Sequence, residues 1–117
     1  MNDSTLSELT KLAIAFRDER DWKQFHNPKD MALSLVLESA ELLELMQWKN
    51  GAELFDHLSR NRAKLAEELS DVLFWVLAIS HDNAIDLGEA FKQKLIENAR
   101  KYPVEKAKGV STKYTDL

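Results

Sequence analysis

The segment from Pro28 to Trp48 constrains the fold most, because it predicts a helix that is apolar on almost every side. Asn27 followed by Pro28 is an N-cap and first-turn pair, and the helical pattern runs to about Trp48. One side carries Met31, Leu35, Leu42 and Leu45, and the opposite side carries Leu33, Val36, Leu37, Ala40 and Leu43. A helix with two apolar sides needs a neighbour on each. We therefore expect it to be buried on both sides.

The rest of the chain predicts further helices. Start and stop signals place them at about 5–20, 60–82 and 86–102, and the segment ELFDHL adds a short helical turn. Only three glycines and two prolines occur among 117 residues, and this scarcity is typical of a helix-rich globular protein. We predict an all-α fold in a single domain over residues 1–117, with a polar, extended tail from about residue 104.

Charge and composition exclude several classes of protein. A net charge of -4 argues against nucleic-acid binding, which needs clustered lysine and arginine. No apolar run approaches the roughly 20 residues of a membrane span, and the N-terminus lacks the layout of a secretory signal. The absence of cysteine removes disulfides and thiolate metal sites. We expect a cytoplasmic protein that binds neither nucleic acid nor a membrane.

Two pairs of carboxylates stand on the apolar helices. At about 100° per residue, Glu38 and Glu41 lie about 60° apart on one predicted helix, and Glu68 and Asp71 do so on the next long helix. Both pairs share their helix face with leucine, valine or tryptophan. If the two helices face each other, four negative charges meet in a low dielectric and need protons or cations to neutralise them. Oxygen ligands alone favour Mg²⁺, or Mn²⁺.

Other interpretations of these carboxylates remain open from the pattern. They are explained about as well by ordinary salt bridges to Lys64 or Lys49, since Glu is a good helix former and ExxE arises often by chance. A di-iron carboxylate bundle needs Glu-x-x-His on two helices. None of His26, His57 and His81 stands three residues after a glutamate, which disfavours that site.

A basic helix face and two tryptophans are further candidates for binding. Lys94, Asn98 and Lys101 are spaced to share one face of the last predicted helix, where they suit a polyphosphate or are simply solvated. Trp22 and Trp48 flank the second helix, and their rings either stack on a base or pack in the core or at an oligomer contact.

These stretches together resemble the MazG-type all-α nucleoside triphosphate pyrophosphohydrolases, and within them the dCTP pyrophosphatase group. The metal signature of that family, ExxE followed by ExxD on the next long helix, stands here as ESAE at 38–41 and ELSD at 68–71. ERDWKQFHNP, ELLELMQWK, EELSDVL, KLIENARKYP and KYTDL also look like stretches of that group and occur in the same order. The resemblance covers nearly the whole chain.

The resemblance implies a fold, a reaction and a set of site residues. It implies a four-helix protomer core, assembly as a dimer of dimers, and hydrolysis between the α and β phosphates to give a nucleoside monophosphate and pyrophosphate. The residues that match the magnesium ligands of the family are Glu38, Glu41, Glu68 and Asp71. Those that match its triphosphate contacts are Lys94, Asn98 and Lys101. Trp22 and Trp48 match its base-binding aromatic residues, and His26 lies in the same loop as Trp22.

Two positions depart from the pattern of the group. Trp75 stands where close relatives commonly carry a tyrosine near the sugar, and Ala13 where some carry a histidine. The resemblance therefore gives dCTP as the first expectation for the substrate, with dUTP or a broad dNTP range as the enzyme alternative. The alternative outside catalysis is a helical oligomerisation or regulatory module. We expect a homo-oligomer, a dimer or more readily a tetramer, since one short chain cannot cover two apolar helix sides.

Overall fold

The computed structural model describes residues 3–117, and helices and turns are its only regular elements over that range. The helices are α1 (Leu6–Glu19), α2 (Pro28–Glu44), α3 (Gly51–Arg60), α4 (Arg62–Asp82), α5 (Leu87–Lys101) and α6 (Val104–Ala107), with 3-10 turns at Lys23–Phe25 and Tyr114–Asp116. The predicted all-α class is confirmed. None of these helices combines the length and the apolar composition needed to cross a membrane.

The contacts within the chain divide it into two compact units, the first ending at Ala84 and the second spanning Ile85–Leu117. In the first unit α4 is the central helix, because α1, α2 and α3 all pack against it. Its buried apolar side chains are Ala13, Met31, Leu77 and Ala78. The second unit holds α5, α6 and the last turn. The single domain over residues 1–117 stays a prediction.

Side-chain caps fix three of the helix starts where the sequence places them. In each case a side-chain oxygen of the N-cap residue accepts a hydrogen bond from the backbone N–H three residues on, which satisfies a donor that the helix leaves free. The pairs are Thr5 with Glu8 at 3.1 Å, Asn27 with Asp30 at 2.9 Å and Asp86 with Glu89 at 3.0 Å.

The region after α2 differs from the prediction. The helix ends at Glu44 rather than near Trp48, and hydrogen-bonded turns follow it. Trp48 has a left-handed backbone with φ 68°, a conformation that a helix cannot continue through and that bulky residues rarely adopt. The predicted single turn in ELFDHL is part of α3, a helix of 10 residues.

The prediction of an extended tail is wrong. Residues Val104–Ala107 form α6, and Tyr114–Asp116 form a 3-10 turn. Two aromatic contacts hold this turn, because the Tyr114 ring packs edge-on against Tyr102 at 5.8 Å and lies 4.9 Å from the Lys101 Nζ. The sequence pattern hides these contacts because the tail is polar and aperiodic.

The expectation that α2 is buried on both sides is wrong for the single chain. Its packing against α4 covers one side. On the other side Leu33, Val36, Leu37 and Leu43 are between 53% and 67% exposed. The apolar pattern requires a cover for this side, and one chain supplies only the cover on the α4 side.

A buried ion pair joins the C-terminal ends of α1 and α4. The Arg17 guanidinium donates to both oxygens of Asp82, at 2.8 and 3.0 Å, and the Arg17 side chain is only 3% exposed. Lys23 Nζ donates to the same carboxylate at 3.1 Å. Burial by itself raises the pKa of Asp82, but the hydrogen bonds from Arg17 and Lys23 outweigh it and hold that pKa below its ordinary value.

We predict that Asp82→Asn destabilises the protein by about 3 kcal/mol at neutral pH, because it leaves a buried guanidinium without its counter-charge. A lowered folded-state pKa contributes stability in full above the unfolded pKa of about 3.9 and loses it as pH falls through the folded-state value. The cost of the substitution should therefore shrink in acid. Urea unfolding of both proteins at neutral pH and at about pH 3 measures this.

Asp56→Asn is the control, because the Asp56–Arg60 pair at 2.7 Å is mostly exposed and should contribute at most about 1 kcal/mol. A cost for Asp82→Asn that equals the control, or that is the same at both pH values, would contradict the assignment.

Candidate metal centre and adjoining cavity

The packing of α2 on α4 gathers the four predicted carboxylates into one cluster. Glu38 and Glu41 come from α2, and Glu68 and Asp71 come from α4. One carboxylate oxygen from each lies within 4.8 Å of the others. The spacing of three residues in each helix turns both members of a pair to the facing helix, so the expectation that these four residues meet is fulfilled.

The cluster is only partly withdrawn from water. Glu68 is buried and Glu38 half-buried, whereas Glu41 and Asp71 are exposed. One oxygen of Glu38 and one of Glu68 are buried without a hydrogen-bond partner. A buried carboxylate oxygen without a partner is costly, so these two atoms fit a bound cation.

A lysine neutralises one of the four carboxylates. Lys64 Nζ lies 3.0 Å from Glu68 Oε1, one turn earlier on α4. Its hydrogen bond to Glu68, and then the charge of that group, raise the pKa of Lys64. The salt-bridge interpretation thus holds for Glu68 with Lys64, while Lys49 pairs with Glu53 at 3.5 Å and not with the cluster. One lysine leaves most of the negative charge unbalanced.

The electrostatics of Glu38 report this imbalance. Burial raises its pKa first, and the negative charges of Glu41 and Asp71 raise it further, followed by a hydrogen bond with Glu41 and the charge of Glu68. An acid that is harder to ionise in the folded chain marks a place where positive charge is favoured. With oxygen donors alone in the described cluster, the centre suits a hard divalent cation.

An apolar cavity of about 570 Å³ adjoins the carboxylates, and Glu38 and Asp71 belong to both. Its lining contains four leucines and four aromatic side chains, the latter being Phe16, Trp22, Phe74 and Trp75. Pockets of this size hold small organic ligands, and apolar walls with a few polar groups at one end are typical of them. The arrangement therefore offers an aromatic chamber that opens next to a charged centre.

The two sequence departures both fall in this cavity. Ala13 and Trp75 line it together with Trp22. His26 lies beside it, with its ring 5.0 Å from the Trp75 ring and its Nδ1 without a hydrogen-bond partner. Burial, and then the charge of Arg17, lower the pKa of His26, so its imidazole is neutral near pH 7.

Trp48 is not brought to the cavity of its own chain. Trp48 is not among the described residues that line the cavity, and it is 86% exposed. A sandwich of one base between Trp22 and Trp48 therefore does not form within a single described chain. The left-handed backbone of Trp48 is unfavourable for a residue with a bulky side chain.

The three polar residues predicted to bind phosphate lie on α5 of the second unit. Lys94 Nζ is 3.8 Å from a Glu97 oxygen and Lys101 Nζ is 3.5 Å from the other, so both lysines are paired. Asn98 is half-buried between them in sequence. Their role with phosphate stays a prediction.

Sequence reasoning missed the ion pair that flanks the cavity. Arg17 and Asp82 are 65 residues apart and carry no local signal of pairing. Phe16 and Phe74 have the right apolar period but nothing that marks them as cavity walls rather than core. Only the packing of α1 on α4 reveals both features.

Comparisons with known proteins agree with this architecture. The model of the MazG-like family matches residues 33–117. The chain is 42% identical to dCTP pyrophosphatase 1 of Bos taurus over 99% of its own length and 70% of the bovine protein. It is 43% identical to dCTP pyrophosphatase 1 of Homo sapiens over 98% of its length and 69% of the human protein.

A solved structure gives the same answer for the fold. The crystal structure of a pyrophosphatase from Archaeoglobus fulgidus superposes with a TM-score of 0.81 at 38% identity, covering 88% of this chain and 96% of that one. The fold and the acidic centre define the class, an all-α protein with a carboxylate cluster between two helices. The chain belongs to the MazG-like family.

We predict that Glu38→Gln stabilises the protein in the absence of metal at about pH 8, because it removes one charge from a repelling cluster. Because the pKa of Glu38 is raised in the folded state, its charge destabilises the fold in full above that pKa. Below the unfolded-state pKa of about 4.3 this destabilisation is absent. The gain should therefore vanish near that pH. Thermal unfolding in a chelator, at both pH values, measures it.

Glu44→Gln serves as the control, since Glu44 is exposed on the same helix and outside the cluster. Equal effects of the two substitutions, or a gain for Glu38→Gln that persists in acid, would refute the repulsion.

Proposed function

We propose that this enzyme hydrolyses deoxynucleoside triphosphates, dCTP first among them, to the monophosphate and pyrophosphate with the help of Mg²⁺. The observation that carries the proposal is the four-carboxylate cluster at the mouth of an aromatic cavity of about 570 Å³. Family membership and relatives called dCTP pyrophosphatase support the reaction. A nucleotide pyrophosphohydrolase is an enzyme of the class that acts on phosphoric anhydrides.

Glu38, Glu41, Glu68 and Asp71 would hold the cation, which fits the two unpartnered carboxylate oxygens. When bound, a divalent cation supplies the positive charge that screens the triphosphate and polarises the attacked phosphorus. Mn²⁺ has similar ligand preferences and should substitute. A carboxylate that is not fully engaged would orient the attacking water by accepting a hydrogen bond from it.

The cavity would take the nucleoside. Its aromatic walls, with Trp22 and Trp75 among them, offer stacking to a base, and stacking contributes about 1–3 kcal/mol per base without selecting which base. Trp48 and His26 complete the proposed base-binding set. Lys94, Asn98 and Lys101 are the proposed triphosphate contacts, a role that rests on their match to the family pattern and on their charge.

The same lining supports a preference for deoxyribose. An apolar wall leaves an extra sugar hydroxyl without a hydrogen-bond partner, which costs affinity. Ala13 and Trp75 alter the wall relative to the family pattern. We therefore expect a second deoxynucleotide to be accepted beside dCTP and ribonucleotides to be used less.

A panel of the four dNTPs with CTP and UTP tests the function directly. We predict pyrophosphate release that requires Mg²⁺, is fastest with dCTP in competition, and disappears in Asp71→Ala and in Glu41→Ala. These two variants should lose turnover without losing stability in chelator, because truncation relieves charge repulsion. Pyrophosphate detection and thermal unfolding give the two readouts.

Glu44→Ala is the matched control, an exposed glutamate of α2 outside the cluster, and should retain activity. Substantial magnesium-dependent turnover by Asp71→Ala would reject the metal site. Faster turnover of CTP or UTP than of any deoxynucleotide would reject the proposed pocket. Absence of any turnover would favour a helical oligomerisation or regulatory module instead.

The exposed apolar side of α2 supports a homo-oligomer. Leu33, Val36, Leu37 and Leu43 share that side at more than half exposure, and a contiguous apolar surface of this kind usually marks an interface. We propose that a second copy covers it and that the assembly is a tetramer in the cytoplasm. Sedimentation velocity at micromolar concentration should give a tetramer, or at the least a dimer, and Val36→Glu should dissociate it; a stable wild-type monomer would contradict this.

A further inference from the structure

The segment from Asp21 to Asn27, which links α1 to α2, contributes Trp22 to the described cavity lining and is held near both ends by aromatic contacts. At its start the Trp22 ring meets Phe16 edge-on at 5.7 Å. At its end the His26 ring meets Trp75 at 5.0 Å. Phe16, Phe74 and Trp75 continue the series, with Phe16–Phe74 at 6.2 Å and Phe74–Trp75 at 5.1 Å. The linking segment therefore closes a run of rings along the cavity.

The backbone of the linking segment is bent in a way that needs support. Asp21 has φ 54°, a left-handed conformation that is unfavourable for a residue with a side chain. The bend lets the Trp22 N–H donate to the Arg17 carbonyl at 3.1 Å. Gln24 Nε2 donates to both the carbonyl and the carboxylate of Asp21, at 2.9 and 3.1 Å. These bonds hold the turn locally but do not attach it to α4.

Two contacts attach the segment to α4: the His26 ring on Trp75, and an ion pair between Lys23 and Asp82. Lys23 stands between Trp22 and His26 in the sequence, and its Nζ donates to Asp82 Oδ2 at 3.1 Å. The same carboxylate accepts two hydrogen bonds from buried Arg17. The described residues that line the cavity do not include Arg17, Lys23 or Asp82. The two cations share the one carboxylate of Asp82.

We propose that Arg17, Lys23 and Asp82 are positioning residues that fix the linking segment, so that the place of the Trp22 ring in the cavity lining, and with it nucleotide affinity, depends on this ion-pair cluster. This inference rests on the proposed function for the identity of the ligand. The cluster sets the place of the Trp22 ring, and a ring that moves loses stacking with the bound base. It leaves the carboxylate centre, and hence the chemical step, untouched.

Lys23→Met tests the cluster with little risk to folding, because the Lys23 side chain is 54% exposed and its stem is retained. We expect the Michaelis constant for dCTP to rise about threefold while kcat stays within about a factor of two, the scale of a half-exposed ion pair. Hydrogen exchange at the Trp22 amide should become faster in the same variant. Its hydrogen bond to the Arg17 carbonyl depends on the turn at Asp21, which loosens when Lys23 no longer holds the segment to Asp82.

Lys29→Met is the matched control, since Lys29 is an exposed lysine nearby that pairs only with Asp30, at 3.5 Å, among the described ion pairs. It removes the same charge and should change neither readout. Lys23→Met should also have no further effect in an Asp82→Asn background, because both substitutions break one interaction. An undiminished effect there would mean that Lys23 contacts the nucleotide itself and would overturn the proposal.

The remaining outcomes separate this inference from the proposed function. Unchanged exchange at Trp22 in Lys23→Met would refute the positioning whatever the activity is. Faster exchange with an unchanged Michaelis constant would refute its role in affinity. If the wild-type protein turned over no nucleotide, the proposed function would be refuted. Hydrogen exchange at the Trp22 amide that still depended on Lys23 would nevertheless support the anchoring of the linking segment.

Discussion

The packing of α2 against α4 brings together four carboxylates whose oxygens lie within 4.8 Å. Two unit charges at about 4 Å repel by roughly 4 kcal/mol in the partly polarisable environment near a protein surface. Lys64 offsets part of this through Glu68. The rest has to be offset by apolar packing in the first unit, where Met31, Leu77 and Ala78 are buried. The helix pair is thus stable enough to hold four carboxylates close together, and a bound cation would relieve their repulsion.

A single helix aligns every part of the candidate site in the first unit. Along α4 the residues follow one another as carboxylates of the cluster (Glu68 and Asp71), cavity lining (Phe74 and Trp75) and ion-pair partner of the linking segment (Asp82). At about 1.5 Å per residue, Asp71 and Asp82 are separated by roughly 16 Å along the axis. A helix is stiff over that length. The distance from the carboxylate cluster at Asp71 to the ion pair at Asp82 is therefore fixed by the helix backbone rather than by loop conformation. The linking segment contributes rings and α4 contributes their placement.

Local signals in the sequence predicted what depends on local physics. The caps at Thr5, Asn27 and Asp86 and the three-residue spacing of the carboxylate pairs all stand in the chain order, so helix starts and the acidic cluster could be inferred. Contacts between distant residues could not: Arg17 and Asp82 are an ordinary pair of charges until α1 packs on α4. The burial of α2 failed for a related reason. An apolar pattern states that a surface is to be covered, but it does not state whether the same chain covers it. The prediction of an extended tail failed because the last turn is held by a contact between Tyr102 and Tyr114, which no periodic pattern in the sequence indicates.

The chemistry of the cavity lining bears on how selective the enzyme can be. Apart from Glu38 and Asp71, its described lining has three side chains that can hydrogen-bond: Ser70, whose hydroxyl donates to the Ala66 carbonyl, and Trp22 and Trp75 through their indole N–H groups. Strong rejection of a wrong ligand requires buried polar groups that the wrong ligand leaves unpaired, whereas apolar walls discriminate weakly between isosteres. The His26 ring contacts that of Trp75, and its Nδ1 is buried without a hydrogen-bond partner. Affinity in such a chamber comes from ring stacking and exclusion of water, while selection among bases is left to very few polar atoms. Substitutions at Phe16 or Phe74 should therefore change how tightly nucleotides bind more than which nucleotide is preferred. A change of preference has to be sought at the two indole N–H groups, at His26, at Ser70 or at groups brought in by assembly.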